Sequence, residues 1–216
     1  MLYITNGDSG SPSNAQDIKL LSGKIFRIQA DGSIPADNPY PGSPVYSLGH
    51  RNPQGLAWHP VTGELYSSEH GQSAFDEINR IVPGSNYGWP LVEGDEQEIK
   101  ASDTNKKGPG LLQAPMVHSG GKETWAPSGI TFITKGPWTN NLMVANLRGT
   151  QVLRVILTAD GKSVQSVESL FKGEFGRIRN VTEGPDGSLY ILTNNRDGRG
   201  NPSAQDDRII RFKPVD

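Results

Sequence analysis

The sequence has no cysteine, almost no net charge and no long apolar run. Its 216 residues include 21 Lys and Arg against 23 Asp and Glu, a formal net charge of -2. Without a basic field the chain has little electrostatic attraction for nucleic acid, so we expect no nucleic-acid partner. No apolar run approaches the roughly 18 residues that cross a bilayer, so we also expect no membrane span. The absence of cysteine fits either an oxidising or a reducing compartment.

Helical patterns are also nearly absent, because glycine and proline interrupt every candidate window. The 26 Gly and 16 Pro make up about a fifth of the chain, and 34% of the residues are hydrophobic. This composition favours many short strands joined by turns over long helices. We therefore predict an all-β fold, and the length suits a single domain over residues 1–216.

A strand-like apolar run recurs four times along the chain. The copies are LYITN at 2–6, ELYSSEH at 64–70, NLMVANL at 141–147 and SLYILTN at 188–194. Turn sequences rich in Pro, Gly, Asp and Asn precede the last three copies, whereas the first begins at Leu2 with no turn before it. We therefore expect the chain to begin inside a repeat.

Each apolar run is followed by a second strand pattern whose third residue is arginine. These strands are IFRI, INRI, VLRV and IIRF, and their arginines, called the repeat arginines below, are Arg27, Arg80, Arg154 and Arg211. Repeated two-strand units are typical of β-propellers, whose blades of about 40 to 50 residues each contain four antiparallel strands. A β-sandwich accounts for short strands but not for this recurrence. We therefore predict a β-propeller with about four blades in this chain.

The stretch GHRNPQG at 49–55 is dense in hydrogen-bond donors. Arg51 offers a planar set of N–H groups, and Asn52 and Gln54 can both donate and accept. Such a set suits an anionic or carbonyl-rich ligand. The alternative is a turn between blades with a solvated arginine.

A second polar stretch, at 69–90, contains the adjacent carboxylates Asp76 and Glu77. Glycine-rich turns on either side could aim backbone carbonyls inward, which would suit a hard cation such as Ca²⁺. The spacing does not match an EF-hand loop. The alternative is the solvated end of a strand.

A third stretch, GRIRN, places Arg177 and Arg179 two residues apart on a predicted strand, so both should project from one face. Their repulsion would be relieved by a bound anion or by an acidic side chain from another blade. Arg148, at the end of a strand in the preceding unit, could join them.

The four histidines show neither the spacing of a zinc pair nor an adjacent acid and nucleophile, so no catalytic triad is visible. Structural or surface roles are favoured for His59 and His118. His50 and His70 stand inside the polar stretches, and both a structural role and a pocket role stay open for them.

Taken together, LGHRNPQGLAWHP, SEHGQSAFDEINRI and SNYGWP resemble the quinoprotein glucose and aldose sugar dehydrogenases, also called the glucose/sorbosone dehydrogenase family. The resemblance continues through GKIFRIQADGSIPADNPY and GRIRNVTEGPDGSLYILTNN, so it covers nearly the whole chain, and residues 95–128 are similar to the aldose sugar branch. It implies a six-bladed β-propeller that binds pyrroloquinoline quinone (PQQ) and Ca²⁺ and oxidises the C1 hydroxyl of aldose sugars to lactones. An external electron acceptor, a periplasmic or secreted location and a possible homodimer are implied in the same way.

The resemblance also assigns roles to residues of the first two polar stretches. Arg51 matches the arginine that faces the quinone oxygen, and Asn52 matches a neighbouring cofactor contact. The backbone carbonyls of Gly71 and Gln72 match ligands of the cofactor's Ca²⁺, although Gln72 stands where the family usually has proline. The ligands of a second, structural Ca²⁺ are matched by the carboxylate of Glu77 and the backbone carbonyl of Tyr87.

Arg177 and Arg179 match the pair that binds the cofactor carboxylates, and Arg148 falls where the family has lysine, which keeps the charge but changes the donor geometry. The family's catalytic histidine lies upstream of the segment matched by LYITNGD. We therefore expect the base to be outside this chain, and the chain alone to be inactive.

Two alternatives to the dehydrogenase hypothesis follow from the residues. One is a non-catalytic propeller, stabilised by calcium, that binds a carbohydrate or protein partner. The other is a complete four-bladed propeller, in which the strand at 2–6 would pair with the C-terminal DRIIRF segment.

Overall fold

The computed structural model describes residues 1–94 and 109–213. Over these residues the chain forms four antiparallel sheets, with a short 3-10 helix at Pro12–Gln16. The first sheet contains β1 (Leu2–Asn6), β2 (Lys24–Ile28) and β3 (Val45–Leu48). The second contains β4 (Pro53–Trp58), β5 (Leu65–Glu69), β6 (Glu77–Ile81) and β7 (Val117–His118). The third contains β8 (Pro127–Phe132), β9 (Leu142–Asn146), β10 (Gln151–Leu157) and β11 (Val164–Leu170). The fourth contains β12 (Ile178–Glu183), β13 (Leu189–Thr193) and β14 (Ile209–Phe212).

The strands predicted from the repeats are all present. The apolar runs form β1, β5, β9 and β13, and each pairs antiparallel with the strand that carries the next repeat arginine. In every pair the repeat arginine lies opposite the second residue of the strand formed by the apolar run, as Arg80 does opposite Tyr66. The shared register shows that the four units are copies of one structural theme.

The four sheets stand side by side in chain order. β8 contacts both β4 and β12, and β1 contacts β4. Strands β4, β8 and β12 are the first strands of their sheets, whereas β1 occupies the place that β5, β9 and β13 hold in theirs. Neighbouring antiparallel sheets whose first strands face one another are consecutive blades of a β-propeller. The predicted all-β fold with about four blades is therefore confirmed.

Strand β9 shows why the sheets pack in this way, because it is buried on both faces. Leu142 and Val144 belong to the core between the second and third sheets, while Met143 and Ala145 belong to the core between the third and fourth. Successive residues of a strand point to opposite faces, so an uninterrupted apolar run supplies apolar side chains to the cores on both sides of the sheet. The continuous LMVAN sequence therefore specifies an interior blade.

The repeat arginines make related contacts in their sheets. Three of them bond the residue just before the strand formed by the apolar run, in the pairs Arg80–Glu64 at 3.0 Å, Arg154–Asn141 at 2.6 Å and Arg211–Ser188 at 3.0 Å. In the first sheet Met1 stands at that position, and Arg27 instead bonds Asp37 at 3.0 Å. The Nε atom of Arg27 is buried and has no hydrogen-bond partner within residues 1–94 and 109–213.

One prediction needs correction. The pairing of residues 2–6 with the C-terminal segment is wrong, because within the described chain β1 pairs with β2 alone and β14 with β13 alone. The short strand β7 completes the second sheet, and residues 95–108, part of the segment similar to the aldose sugar branch, lie outside the described residues. Among the described residues, no helix is long and apolar enough to cross a bilayer.

Candidate functional site

An open cleft of about 810 Å³ lies where loops of the second, third and fourth sheets converge. Its walls include all seven residues predicted to bind the cofactor: Arg51, Asn52, Gly71, Gln72, Arg148, Arg177 and Arg179. Some of these residues lie at or near the beginning of the first strand of a sheet, and the others lie just after the second strand of a sheet. In an antiparallel hairpin those two positions share one end of the sheet, so the repeat itself brings distant segments to one cleft.

The cleft carries a surplus of positive charge. Four of its arginines, called the cleft arginines below, are Arg51, Arg148, Arg177 and Arg179. Arg177 forms an ion pair with Asp197, with its Nη2 2.8 Å and its Nε 3.0 Å from the same carboxylate oxygen. Burial alone would raise the pKa of Asp197. Hydrogen bonds from the Arg199 N–H and the Arg177 guanidinium outweigh burial, so the pKa is lowered overall. The acidic neighbour anticipated for this pair thus exists, although it comes from the loop of the same sheet.

The remaining charge near Arg177 is not neutralised by any residue that the structure describes. Arg179 donates to the hydroxyl of Ser128 at 3.1 Å, and the exposed Arg148 has no hydrogen bond or ion pair with any described residue. Two guanidiniums without acidic partners facing one cleft favour an anionic ligand, which they could bind through charge-assisted hydrogen bonds.

Arg51 is held from several directions. Its Nε donates to Oε1 of Gln72 at 3.0 Å, its guanidinium lies 5.8 Å from the ring centre of Trp89, and its backbone N–H donates to the carboxylate of Glu69. Next to it, Asn52 accepts a hydrogen bond from Gln54 at 2.9 Å. The segment 49–55 is therefore an ordered wall of the cleft and not a turn with a solvated arginine.

Gly71 and Gln72 form a tight loop on the cleft wall. A Cβ atom at position 71 would lie 1.8 Å from the carbonyl oxygen of Ala74, so only glycine fits there. The Gly71 N–H donates to Asp76 at 3.1 Å, whereas the carbonyl oxygens of Gly71 and Gln72 accept no hydrogen bond from the described residues. Free carbonyl oxygens beside a cleft are suitable ligands for a hard cation.

Glu77 and Tyr87 lie together at a second, small cavity of about 10 Å³, which adjoins the cleft at Gly71 and has room for one water-sized occupant. Burial, followed by the charge of Glu69, raises the pKa of Glu77 to about 8. The Tyr87 hydroxyl donates to the Arg80 carbonyl at 2.5 Å, and burial raises its pKa. In the described parts of the chain, no three His, Cys, Asp or Glu side chains form a ready metal-binding cluster. A cation beside Glu77 would therefore need backbone carbonyls as further ligands.

Asp76 is a structural hub and not a solvated strand end. Its side chain is buried, and it accepts hydrogen bonds from the N–H groups of Gly71, Trp125 and Ala126. It thereby ties the cleft loop of the second sheet to the beginning of the third.

The structure also shows a hydrogen-bonded chain that the sequence reasoning missed. His50 Nδ1 lies 2.8 Å from Glu69 Oε2, and its Nε2 lies 2.8 Å from the Ser47 hydroxyl. All three side chains are buried, with His50 at 0% exposure, so this Ser–His–Glu order is not a hydrolytic triad. No local motif signals it, because Glu69 lies on β5 and reaches the histidine only when the sheet forms.

The other histidines divide as follows. His70 lines the cleft, and burial lowers its pKa. His59 accepts hydrogen bonds from the N–H groups of Val61 and Thr62, and His118 accepts one from Gly120, so the structural roles favoured for both are confirmed.

Comparison with known proteins gives the family. The sequence profile described as Glucose / Sorbosone dehydrogenase matches residues 1–210. The chain is 33% identical to aldose sugar dehydrogenase YliI of Escherichia coli, over 91% of this chain and 55% of the relative. It is 31% identical to quinoprotein glucose dehydrogenase B of Acinetobacter calcoaceticus, over 96% of this chain and 55% of the relative.

Among solved structures, the PQQ-bound aldose sugar dehydrogenase of Streptomyces coelicolor matches 98% of this chain and 57% of its own, with 39% identity and a TM-score of 0.82. The chain spans about half the length of the curated relatives it matches. Profile, sequence and fold agree, and the chain belongs to the glucose/sorbosone dehydrogenase family.

Proposed function

We propose that this chain provides the cofactor-binding side of a PQQ-dependent dehydrogenase that oxidises the C1 hydroxyl of aldose sugars to lactones and passes the electrons to an external acceptor. The observation that carries the proposal is the convergence of the seven predicted residues on one positively charged cleft. The similar Streptomyces coelicolor enzyme is a PQQ-bound protein, which supports the choice of cofactor.

The residues present fit such a cofactor. Arg148 and Arg179, which lack acidic partners among the described residues, would bind its carboxylates together with Arg177. Arg51, which also lines the cleft, would contact a quinone oxygen, and the neighbouring Asn52 would contact the cofactor beside it. When bound, PQQ supplies the acceptor for the hydride that leaves the sugar, while this chain supplies orientation and positive charge.

Calcium belongs to the same proposal. The carbonyl oxygens of Gly71 and Gln72 would hold a Ca²⁺ ion beside the cofactor, because they face no competing donor among the described residues. A second Ca²⁺ would bind at Glu77 and Tyr87, where a divalent cation would favour the ionised carboxylate despite its burial. Glu77 would therefore bind Ca²⁺ more tightly at pH 8 than at pH 6.

The proposal assigns binding and polarisation to this chain, but not proton abstraction. His50 is buried between Ser47 and Glu69, and His70 is adjacent to the Gly71 loop, so neither takes the place of the predicted upstream base. Since a positioned general base contributes about 10²- to 10⁴-fold, we expect the 216-residue chain alone to show no significant sugar oxidation. The periplasmic or secreted location, the homodimer and the single domain over 1–216 stay predictions.

A second candidate function is a calcium-stabilised binding propeller without catalysis. Glu77 and Tyr87 line the small cavity but not the open cleft, and this favours the second function, because a cation between them could stabilise the fold whatever the cleft binds. Such a protein would gain thermal stability with Ca²⁺ but would not bind PQQ.

Titration of the purified chain with PQQ, in Ca²⁺ and then in EDTA, tests the proposal. We expect saturable binding, followed by quenching of tryptophan fluorescence, that weakens when Ca²⁺ is removed. Arg179→Ala should weaken it, whereas Arg154→Ala, a matched change at a repeat arginine, should not. Absence of saturable binding, or equal losses in both variants, would contradict the proposal.

A further inference from the structure

The buried chain of Ser47, His50 and Glu69 ends on the backbone of a cleft residue. Glu69 uses one carboxylate oxygen for His50 and the other for the backbone N–H of Arg51. His50 also stacks on Tyr87 with ring centres 4.7 Å apart. The Glu69 carboxylate that binds the Arg51 N–H is therefore fixed by the His50 ring. That ring is itself fixed by Tyr87 on one face and by hydrogen bonds at both of its nitrogens.

The buried Glu69 carboxylate destabilises the fold unless both of its oxygens are hydrogen-bonded. A buried carboxylate is stable only when hydrogen bonds or charges replace the water that it has lost. Since an ionised carboxylate only accepts hydrogen bonds, His50 Nδ1 is the donor, and Nε2 faces the Ser47 hydroxyl at 2.8 Å. The removal of His50 would leave Glu69 with an unsatisfied oxygen, and Glu69 would then turn to find another partner.

Arg51 depends on the orientation of Glu69. Its side chain contacts the cleft loop through Gln72 at 3.0 Å and the His70 carbonyl at 3.4 Å, and these partners lie three residues and one residue after Glu69. A rotation of Glu69 would release the Arg51 N–H at the point where the backbone enters the cleft wall. The guanidinium would then lose its fixed direction.

We propose that Ser47, His50 and Glu69 are positioning residues that fix Arg51 for its contact with the quinone cofactor. This inference rests on the proposed function, because it assigns the cofactor as the ligand of Arg51. Ser47 and His50 do not touch the cofactor themselves, since both are fully buried. They act through Glu69 and the Arg51 backbone.

The test compares His50→Leu with His50→Asn in the 216-residue chain. Leucine fills the space without a donor, whereas the asparagine amide can replace the Nδ1–H donor toward Glu69. We expect His50→Leu to bind PQQ roughly 10- to 100-fold more weakly, and His50→Asn to recover much of the affinity. Amide hydrogen exchange at Arg51 should accelerate in His50→Leu, with or without PQQ.

The matched control is His59→Leu, which changes an equally buried histidine whose partners, Val61 and Thr62, lie away from the cleft. We expect it to lower the melting temperature without changing the PQQ dissociation constant or exchange at Arg51. If His59→Leu weakens PQQ binding as much as His50→Leu, the effect is global destabilisation and the inference is wrong. Unchanged Arg51 exchange in a folded His50→Leu variant would also overturn it.

Hydrogen exchange at the Arg51 amide also decides the inference in two other cases, namely when the wild-type chain does not bind PQQ and when His50→Leu does not fold. If the wild-type chain does not bind PQQ, the proposed function fails, and the exchange rate of the Arg51 amide alone decides the positioning role. If His50→Leu does not fold, Ser47→Ala removes only the outer hydrogen bond of the chain. Faster exchange at Arg51 in that variant supports the inference, and an unchanged rate contradicts it.

Discussion

The repeat arginines and the cleft arginines are the same residue type in two different electrostatic environments. Each repeat arginine has an acidic partner: Asp37 for Arg27, Glu64 for Arg80, Glu168 for Arg154 and Asp186 for Arg211. Of the four cleft arginines, only Arg177 has one among the described residues, namely Asp197. An arginine serves the fold where its own sheet supplies the counter-charge. It becomes available to a ligand where the fold leaves the counter-charge out.

The carboxylates show the same contrast. Glu77 has no cationic partner in the described structure and bonds only neutral groups, the Asn79 amide at 3.1 Å and the Gly94 N–H at 3.2 Å. Asp186, at the rim of the fourth sheet, bonds Ser188 and Arg211. Burial raises the pKa of Glu77 to about 8, whereas hydrogen bonds from Ser188 lower the pKa of Asp186 to about 2.

The largest expected effect is the pH dependence that Glu77 imposes when no Ca²⁺ is bound. Its folded pKa of about 8 lies above the ordinary 4.5, so its stabilising protonation is complete below about pH 4.5 and is lost as the pH rises toward 8. We expect the free energy of unfolding in EDTA to fall by on the order of 3 kcal/mol over this window. Glu77→Gln should flatten the profile in urea denaturation from pH 5 to 8, whereas Glu168→Gln, at a carboxylate paired with Arg154, should leave it unchanged. A wild-type stability that stays constant over this range would contradict the prediction.

The next effect is on ligand binding by the unpaired cleft arginines. Arg148→Ala combined with Arg179→Ala should weaken PQQ binding by roughly 100-fold, because each lost charge-assisted hydrogen bond in an open cleft contributes about 1.5 kcal/mol. The free energy of unfolding should change little, since neither residue has an acidic partner among the described residues. Equilibrium dialysis and urea denaturation on the same sample separate the two quantities. A large loss of stability would show that these arginines also serve the fold.

The reverse pattern is expected at a repeat arginine. Arg154 bonds Asn141 at 2.6 Å and Glu168 at 2.9 Å, and it lies 5.1 Å from the ring centre of Trp138. Arg154→Ala should lower the free energy of unfolding by about 1 to 2 kcal/mol and leave the PQQ dissociation constant unchanged. Arg154→Lys, which keeps the charge but not the planar set of donors, should recover only part of the stability. If Arg154→Ala weakened PQQ binding, the distinction between the two sets of arginines would fail.

The smallest expected effect is at Asp186, whose lowered pKa stabilises the folded state in the opposite pH direction. Its contribution is present above the ordinary pKa of 3.8 and is lost as the pH falls toward about 2. Because the carboxylate is solvent-exposed, the melting temperature of Asp186→Asn should differ only slightly from wild type at pH 5, and the difference should shrink between pH 4 and pH 2. A difference that grows in acid would be opposite in sign to this prediction.

Much of the fold could be predicted because its signals are local. A strand such as LMVAN carries its burial on both faces in its own composition, and the arginine in the third position of each second strand marks the register of the hairpin. The seven cleft residues were located through the family resemblance, and the repeat geometry explains why they converge. The roles of Asp197 and of the His50–Glu69 pair were not predictable, because no motif in the sequence links those positions.

The all-β repeat, the hairpin register and the residue types available for a site follow from the amino-acid order alone, since turns, two-residue alternation and the repeated arginine act over a few neighbouring residues. Which charges are neutralised depends on the folded arrangement. Arg177 meets Asp197 from 20 positions away, and His50 meets Glu69 from 19 away, whereas Arg148 meets no acid among the described residues. Those differences arise from the distances between side chains on separate strands and loops, and Coulomb attraction and desolvation depend on such distances and not on separation along the chain.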